Sequence, residues 1–560
     1  MNKIKTLPLA LILLLCLGTV MTACGESDSE SEVDSVTSIR LLYKGAAIPG
    51  NEIIEDFEAG KTLTFTADVQ VTGKASKDFT ITSSSESVAS ISGKTVTIIT
   101  AGQTLITATA ADDENKRHAI RLYIDDSNYV SDDPVPYFIT NNFAEDSSTA
   151  FLVQWHNDVS METQTLQIVK EESNFMTARN ITVNGELFEA TGLIGEFEAR
   201  NIFKTEVSGL SPATRYKYRV GSMGAWSDIF YHTTSGGPYK DFSFTVVSDP
   251  QAAVHTQMVE TLTAANAFDP DNRFFVMCGD IVNEIGRNPA EIASYTNAAN
   301  EINKERPIAA TQGNHDTYYK EGSDYYKPGN AKIFNAFVTF PENGWDQSPH
   351  AGPDRSKSYY FYYNDVLVIM LNTFATDNAT DPSNTATTNF IHTKQIAWLQ
   401  EILDADRAEG RSKYTIIATH GPLFSARNGE LDRYPATTMR ANYGKLCADY
   451  GVDIFFGGHD HVYARTDPIK IGSNTATAGI NFNAVDGGTV YSIVGATGPK
   501  MYQIAANVDL SPYYKAWFSQ PSDASPGIFV NVKVTEEKLI VTARVVDKSD
   551  PIDTYEVPAK

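Results

Sequence analysis

After residue 240 one pattern recurs five times: an apolar run of strand length stops on a cluster of acidic, amide or imidazole side chains. Phe242 to Val247 runs into Asp249-Pro250-Gln251, and Arg273 to Cys278 into Gly279-Asp280-Ile281-Val282-Asn283. Ile308 to Thr311 leads to Gly313-Asn314-His315-Asp316, Thr415 to Thr419 to His420-Gly421, and Ile454 to Phe456 to Gly457-Gly458-His459-Asp460-His461. Two further apolar runs, Val366 to Leu371 and Val490 to Val494, read as strands without such an ending. Between them Ile396, Leu399, Ile402 and Leu403 mark one helix face, and Tyr443, Leu446, Cys447 and Tyr450 another. Strands alternating with amphipathic helices predict a layered α/β domain. Ligands of such sheets bind beyond the carboxyl ends of the strands, where these polar clusters fall.

A chain of 560 residues exceeds what one core organises, and the sequence upstream of residue 240 is of another kind. From 38 to 126 short stretches alternate, as in Leu63 to Val69 and Thr95 to Ile99, which predicts a small antiparallel sandwich. Ser83 to Ser92, Gly93, Gly102 and the run Leu105 to Ala110 resemble bacterial immunoglobulin-like domains of the invasin type, here expected to act as a spacer. Adhesion to carbohydrate or to a host is the other role such a domain can have. Residues 127–135 read as a linker, and 136–236 as a second β module. There Trp155 lies on an early strand, and Tyr216, Tyr218 and Val220 face opposite to Lys217 and Arg219. With Val207 to Thr214, these residues resemble a fibronectin type III domain and the N-terminal module of purple acid phosphatases.

The N-terminus reads as an export signal: Lys3 and Lys5 precede an apolar run, Leu7 to Val20, too short to span a bilayer. Its end, Met21-Thr22-Ala23-Cys24-Gly25, resembles the lipobox of bacterial lipoproteins, so 1–23 is expected to be removed and Cys24 lipidated. Residues 24–37 form a polar tether, and Gly25 favours the outer membrane, with the side it faces left open. Cys278 and Cys447 remain in the folded body, expected as two buried thiols, with a single bridge as the alternative. A net charge of −24 and a pI near 4.8 work against nucleic-acid binding and against an anionic membrane surface. An anionic substrate would then need local positive charge.

In order and chemistry the five clusters resemble the calcineurin-like metallophosphoesterases, from about Asp241 to the C-terminus. The resemblance implies a four-layer βαββ sandwich after the two all-β modules, within 240–560. It also implies two divalent or mixed-valence cations, of manganese, iron, zinc or nickel, about 3.5–4 Å apart, and attack of a metal-bound hydroxide on a phosphate ester. Asp280 would bridge the metals. Asp249 and His461 would complete one site, and Asn314, His420 and His459 the other; His315 would serve the leaving group, with Asp316 able to orient its ring. Two departures stand out. Gln251 occupies a position where many members carry histidine, and binds through oxygen, through water or not at all. Asn283 stands where purple acid phosphatases have a tyrosine ligand to ferric iron, so no purple chromophore is expected; with Gln251 it is a candidate contact to metal or substrate. Tyr463 and Arg465 are expected to pack and pair ions. Gly495-Ala496-Thr497-Gly498 is again close to the purple acid phosphatase form. Weaker candidates are Tyr318, Tyr319, Tyr325, Tyr326 and His350, in loops, and His255, expected on a helix surface. Every candidate ligand lies after residue 240, so that segment alone is expected to carry the chemistry. Phosphate monoesters are the favoured substrates, with diesters or nucleotides as alternatives on the same site. A non-catalytic cell-surface binding protein is the alternative of another class.

Overall fold

Strands form where apolar and polar residues alternate, and the faces they bury decide which modules stand apart. The computed structural model describes residues 33–559 except 190–196, 237–240, 286–287, 317–319, 322–323, 326–329, 346–357, 374–392, 428–435, 473–475, 505–507 and 524. Cys24 and its signal, Tyr318, Tyr319, Tyr326, His350 and the side chain of Tyr325 lie outside the described residues. The chain divides into two compact units, residues 1–124 and 125–560.

The first unit is a sandwich of two antiparallel sheets. One has the order Ala46–Ala47, Ser35–Tyr43, Thr62–Thr72, Thr95–Ile98, Ala89–Ser92. The other runs Glu52–Asp56, Arg117–Asp125, Gly102–Ala110, Phe79–Ser83. Leu63, Phe65 and Val69 on one sheet and Ile106, Ala108, Ile120 and Leu122 on the other share its core, as the period of two requires.

The second unit begins with another sandwich. Tyr137–Phe143, Phe151–Asn157, Arg200–Val207 and Glu186–Phe188 form one sheet; Arg179–Asn184, Thr163–Lys170, Arg215–Ser222, Ala225–Trp226 and Phe230–Thr233 form the other. Trp155 stacks on Phe203 with centroids 5.4 Å apart and donates its indole N–H to Gln164 Oε1 (2.6 Å). Strand Phe151–Asn157 is buried on both faces. Phe151, Val153 and Trp155 fill the sandwich, while on the other face Gln154 Nε2 donates to the Ala336 carbonyl (2.6 Å) and His156 Nε2 lies 2.6 Å from the same oxygen. Phe143 reaches further, with its ring 5.1 Å from Phe274 and 4.9 Å from Phe361. Asn141 and Asn142 donate to the carbonyls of Asn303 and Thr339 (both 2.9 Å). The sandwich therefore shares a core with the two-sheet domain C-terminal to it. Cutting the chain at residue 240 would uncover Phe274, Phe361 and Phe337, so the segment 240–560 is not self-sufficient in packing, whatever its ligands.

The rest is two sheets face to face between helices. A six-stranded sheet has the order Ile308–Ala310, Asn272–Met277, Phe242–Val247, Ile528–Val534, Lys538–Val545, Asp553–Pro558, with its first three strands parallel. A seven-stranded sheet runs Tyr359–Tyr363, Val366–Leu371, Tyr414–Thr419, Ile454–Gly457, Val490–Val494, Tyr463–Arg465, Ala516–Phe518. Val366, Val368 and Met370 point into the core between the sheets; Leu367, Ile369 and Leu371 point out to Leu399, Leu403 and Tyr443. Burial on both faces is what a continuous apolar run encodes. Helices Thr256–Phe268 and Pro289–Asn303 add Met258, Leu262, Ile292 and Tyr295 to the central core. This is the expected four-layer α/β sandwich. It has four substantial strands that the apolar-run reading passes over: Tyr359–Tyr363 and the C-terminal meander of three, whose Lys538–Val545 alternates buried and half-buried residues.

The join between sandwich and sheets holds two histidines with no room for charge. His232 is 1% exposed, stacks on Phe151 with centroids 4.0 Å apart, and among the described residues has no hydrogen-bond partner on either ring nitrogen. Burial lowers both His232 and His156 from the ordinary 6.5 to about 3. The folded protein keeps them neutral, while the unfolded chain takes up protons below 6.5. Their contribution is thus complete above pH 6.5 and is lost as pH falls toward 3, by about 1.4 kcal/mol per pH unit for each histidine. His232→Phe should keep the stack and lower the acid slope of denaturant stability by about 1.4 kcal/mol per pH unit. An unchanged slope between pH 6 and 4 would show that His232 does not set it.

Candidate metal centre

Each of the five clusters follows the carboxyl end of a parallel strand, and the two sheets bring these ends to one edge of the central core. The backbone turns sharply there. Asp249, Asp280, His459 and His461 have φ of 52°, 53°, 70° and 53°, four of the ten described non-glycine residues in the left-handed region. Such strain costs roughly 1–3 kcal/mol per residue and gathers where function needs it. Glycines permit the close approach. A Cβ on Gly313 would lie 2.1 Å from Asp280 Oδ1, and one on Gly458 would lie 2.0 Å from Ser248 Oγ and 2.7 Å from Asp249 Oδ2.

The side chains gather as a pair and a larger group, linked through His420. In one, His461 Nε2 lies 3.2 Å from Asp249 Oδ1. In the other, Asn314 Oδ1 lies 3.2 Å from His420 Nε2 and 2.9 Å from His459 Nδ1, and those two nitrogens are 3.3 Å apart. Asp280 Oδ2, 3.1 Å from His420 Nε2, reaches the second set; His420 Nε2, 4.0 Å from Asp249 Oδ1, spans toward the first. Asp249, Asp280, His420 and His461 are at most 2% exposed.

Backbone carbonyls fix the tautomers of two of the rings. A carbonyl can only accept, so His420 Nδ1 donates to the Cys278 carbonyl (2.7 Å) and His461 Nδ1 to that of Lys500 (2.5 Å). In the neutral rings Nε2 is then a bare lone pair, aimed at a carboxylate oxygen about 3 Å away. Asp249 Oδ1 accepts no aligned hydrogen bond, nor does the buried Gln251 Oε1. Lone pairs converging in a dry site fit a cation, and carbonyl-held imidazoles are the usual outer support of metal ligands. Although burial lowers it, the carboxylates of Asp280 and Asp249 raise His420 to about 9. Burial and Asp280 push the Asp316 carboxyl up to about 8.

The neighbours divide into those that meet the donors and those that hold them. Gln251 Nε2 donates to Asp280 Oδ2 (2.9 Å), so its amide touches that carboxylate. Asn283 turns its side chain to Glu291, with Nδ2 3.4 Å from Oε1 and its backbone N–H 3.0 Å from Oε2. The Asn283 carbonyl instead holds His315 Nδ1, and the His315 backbone N–H donates to Asp280 Oδ1 (2.8 Å). Asp316, expected as the orienting group, binds backbone: its carboxylate accepts from Ile281 N–H (3.0 Å) and Gly313 N–H (2.9 Å). His255 is a correction. It is 1% exposed rather than on a helix surface, and its Nε2 lies 2.8 Å from the Ile281 carbonyl, bracing the Asp280 loop. Thr497 and Gly498 N–H groups support the Ser248 and Asp249 carbonyls (2.9 and 3.2 Å). Tyr463 and Arg465 both bind Asp553 (2.8 and 2.6 Å), as the ion-pairing expectation has it. Cys278 and Cys447 are buried thiols, neither of them in a disulfide. Sequence reading missed Asp460, whose Oδ2 accepts from Ser425 Oγ (2.7 Å) and the N–H groups of Ala426 (2.8 Å) and Arg427 (3.2 Å), tying the His420 loop to the His459–His461 loop. It also missed Tyr502, which stacks on His461 at 4.4 Å.

Residues 242–463 match the calcineurin-like phosphoesterase family, 136–234 the purple acid phosphatase N-terminal domain, and 56–120 the group 2 bacterial Ig-like domain. Residues 242–463 form a calcineurin-like phosphoesterase domain. The chain is similar to purple acid phosphatase 23 of Arabidopsis thaliana, 24% identical over 59% of this chain and 69% of that protein. It is also similar to serine/threonine-protein phosphatase CPPED1 of Pongo abelii, 24% identical over 36% of this chain and 57% of that one. The structure of a purple acid phosphatase from yellow lupin seeds shares the fold, with a TM-score of 0.58 at 14% identity over 93% of this chain and 96% of that one. Family and relatives place the phosphoesterase domain among phosphoric ester hydrolases, and the family implies a dinuclear metal centre.

The geometry separates the donors by effect. Asp280→Asn should lower metal content at both positions together, whereas His315→Ala should leave it intact. Gln251→His should keep or raise it, since imidazole binds borderline cations better than an amide. Elemental analysis of the three purified variants checks this; equal metal loss in His315→Ala and Asp280→Asn would make His315 a ligand or a support.

Proposed function

We propose that this chain is an exported, lipid-anchored phosphatase that hydrolyses phosphate monoesters. The observation that carries the catalytic part is the gathering of Asp280, Asn314, His420 and His459, with the Asp249–His461 pair reached through His420 and the His315 backbone N–H bound to the Asp280 carboxylate. Asp249, Asp280 and His461 would hold one cation, and Asp280, Asn314, His420 and His459 the other. The pair, of manganese, iron, zinc or nickel, would supply Lewis-acid charge to the phosphoryl oxygens and acidify a water.

The chain's own residues do the rest. The carbonyls of Cys278 and Lys500 keep His420 and His461 turned so that Nε2 faces the site. His315 has its Nδ1 on the Asn283 carbonyl, which leaves Nε2 as the atom able to deliver a proton to the departing alkoxide. Asp316 holds the Gly313 and Ile281 backbone and so keeps Asn314 and Asp280 in register. In a protein of net charge −24, bound cations would be the main attraction for an anionic ester.

The manganese-loaded chain should hydrolyse p-nitrophenyl phosphate faster than its bis-ester, and Asp280→Ala should abolish both activities. His315→Ala should lower turnover by roughly 10²–10⁴, more for an alkyl than for an aryl phosphate, since an alkoxide leaves poorly without a proton. No hydrolysis by the metal-loaded wild type would overturn the reading, and faster cleavage of the bis-ester would move it to diesters.

The anchor rests on Lys3, Lys5, the Leu7 to Val20 run and Cys24. Cys24→Ser should block labelling with radioactive palmitate and release the protein from the membrane fraction; unchanged labelling would remove the lipoprotein from the proposal.

A further inference from the structure

Beside the candidate ligand His461 the structure builds a stack that none of the five clusters accounts for. The Tyr502 ring lies over the His461 ring, with centroids 4.4 Å apart and planes 32° from parallel. The Arg427 guanidinium sits 3.5 Å from the centre of the Tyr502 ring, and the Lys500 ammonium 5.6 Å from it. Both cations belong to segments fastened to the site. The Lys500 carbonyl accepts from His461 Nδ1, and the Arg427 backbone N–H donates to Asp460, between His459 and His461. Among the described residues neither cation is paired with a carboxylate.

That is a distinct arrangement in a chain with 69 acidic against 45 basic residues. A guanidinium lying on an aromatic face keeps its N–H edge free, and that planar edge matches two oxygens of a phosphate. The aromatic ring also fixes the cation without neutralising it. Arg427 and Lys500 are half-buried, so the side chains are partly dehydrated and partly reachable. Their place is one ring beyond the candidate ligand His461.

We propose that Arg427, mounted on Tyr502 and supported by Lys500, is a subsite for a second phosphate of the substrate. This rests on the phosphatase reading and extends it from simple monoesters to substrates that carry a second phosphate, phosphoanhydrides and bisphosphorylated esters. The phosphoryl group to be cleaved would lie at the Asp280 centre while the neighbouring phosphate accepts from the Arg427 edge.

The test is calorimetric titration of orthophosphate and of pyrophosphate into the full-length, manganese-loaded protein, with metal content measured before and after. The wild type should bind pyrophosphate at least about tenfold tighter than orthophosphate, the scale of one charge-assisted contact. Arg427→Gln should remove most of that preference while retaining both metals, and Tyr502→Leu should do the same by removing the platform. Arg427→Lys should restore part of it, because the charge returns without the planar edge. In steady state the KM for a nucleoside diphosphate should rise about tenfold in Arg427→Gln, against a much smaller rise for p-nitrophenyl phosphate. Equal loss of both anions, loss of metal, or no wild-type preference would overturn the subsite. A wild type that keeps the pyrophosphate preference yet hydrolyses no phosphate ester would instead overturn the phosphatase reading and leave the subsite standing.

Discussion

Everything around the centre serves to hold lone pairs where they repel one another. Asp280 accepts from Gln251 and from the His315 backbone, and lies 3.1 Å from His420 Nε2, while His420 and His459 present nitrogens 3.3 Å apart to the same Asn314 oxygen. No apolar packing would choose such a cluster, because an unpaired carboxylate in a dry site is costly. It persists because neighbouring groups leave each donor no other orientation. The Cys278 and Lys500 carbonyls set two rings, Asp316 and His255 set the loops, and glycines admit the approach. The strained backbone at Asp249, Asp280, His459 and His461 has the same origin, in a requirement for donors at a point where ordinary turns do not place them.

Such a cluster can be held rigidly only by a larger frame. The central core joins both sheets, and the preceding sandwich extends it with Phe143, which contacts Phe274 and Phe361. Buried amides then fix the join, Gln154 on Ala336 and Asn141 on Asn303. The purple acid phosphatase-like module is in this sense part of the catalytic unit's packing, although it supplies none of the candidate ligands. The N-terminal Ig-like unit has a core of its own, drawn from both its sheets.

Much of the fold and the site is legible in the order of residues, for physical reasons that differ from element to element. The strand runs Phe242 to Val247 and Val366 to Leu371 carry no charged residue because each is covered on both faces, and length then marks them. Lys538–Val545 escapes such a reading because one face is only half-buried and its polar residues break the run. His255 misleads for a related reason. A histidine at the start of an amphipathic helix is on the surface unless another loop covers it, and the Asp280 loop does. Gln154 and His156 look like the outer face of a sandwich strand until a second domain is laid against them.

The sequence by itself determined the chemistry: which donors exist, in what order, and that each ends a strand. Asp, Asn and His differ as side chains, so their identities and spacing survive in one dimension. Tertiary structure alone decided which nitrogen of each imidazole faces the site, that Asn283 turns to Glu291, and that Tyr502 and Arg427 stand beside His461. Those outcomes depend on backbone carbonyls, which every residue possesses alike, and on contacts between segments far apart in the chain. Neither leaves a mark in the order of residues.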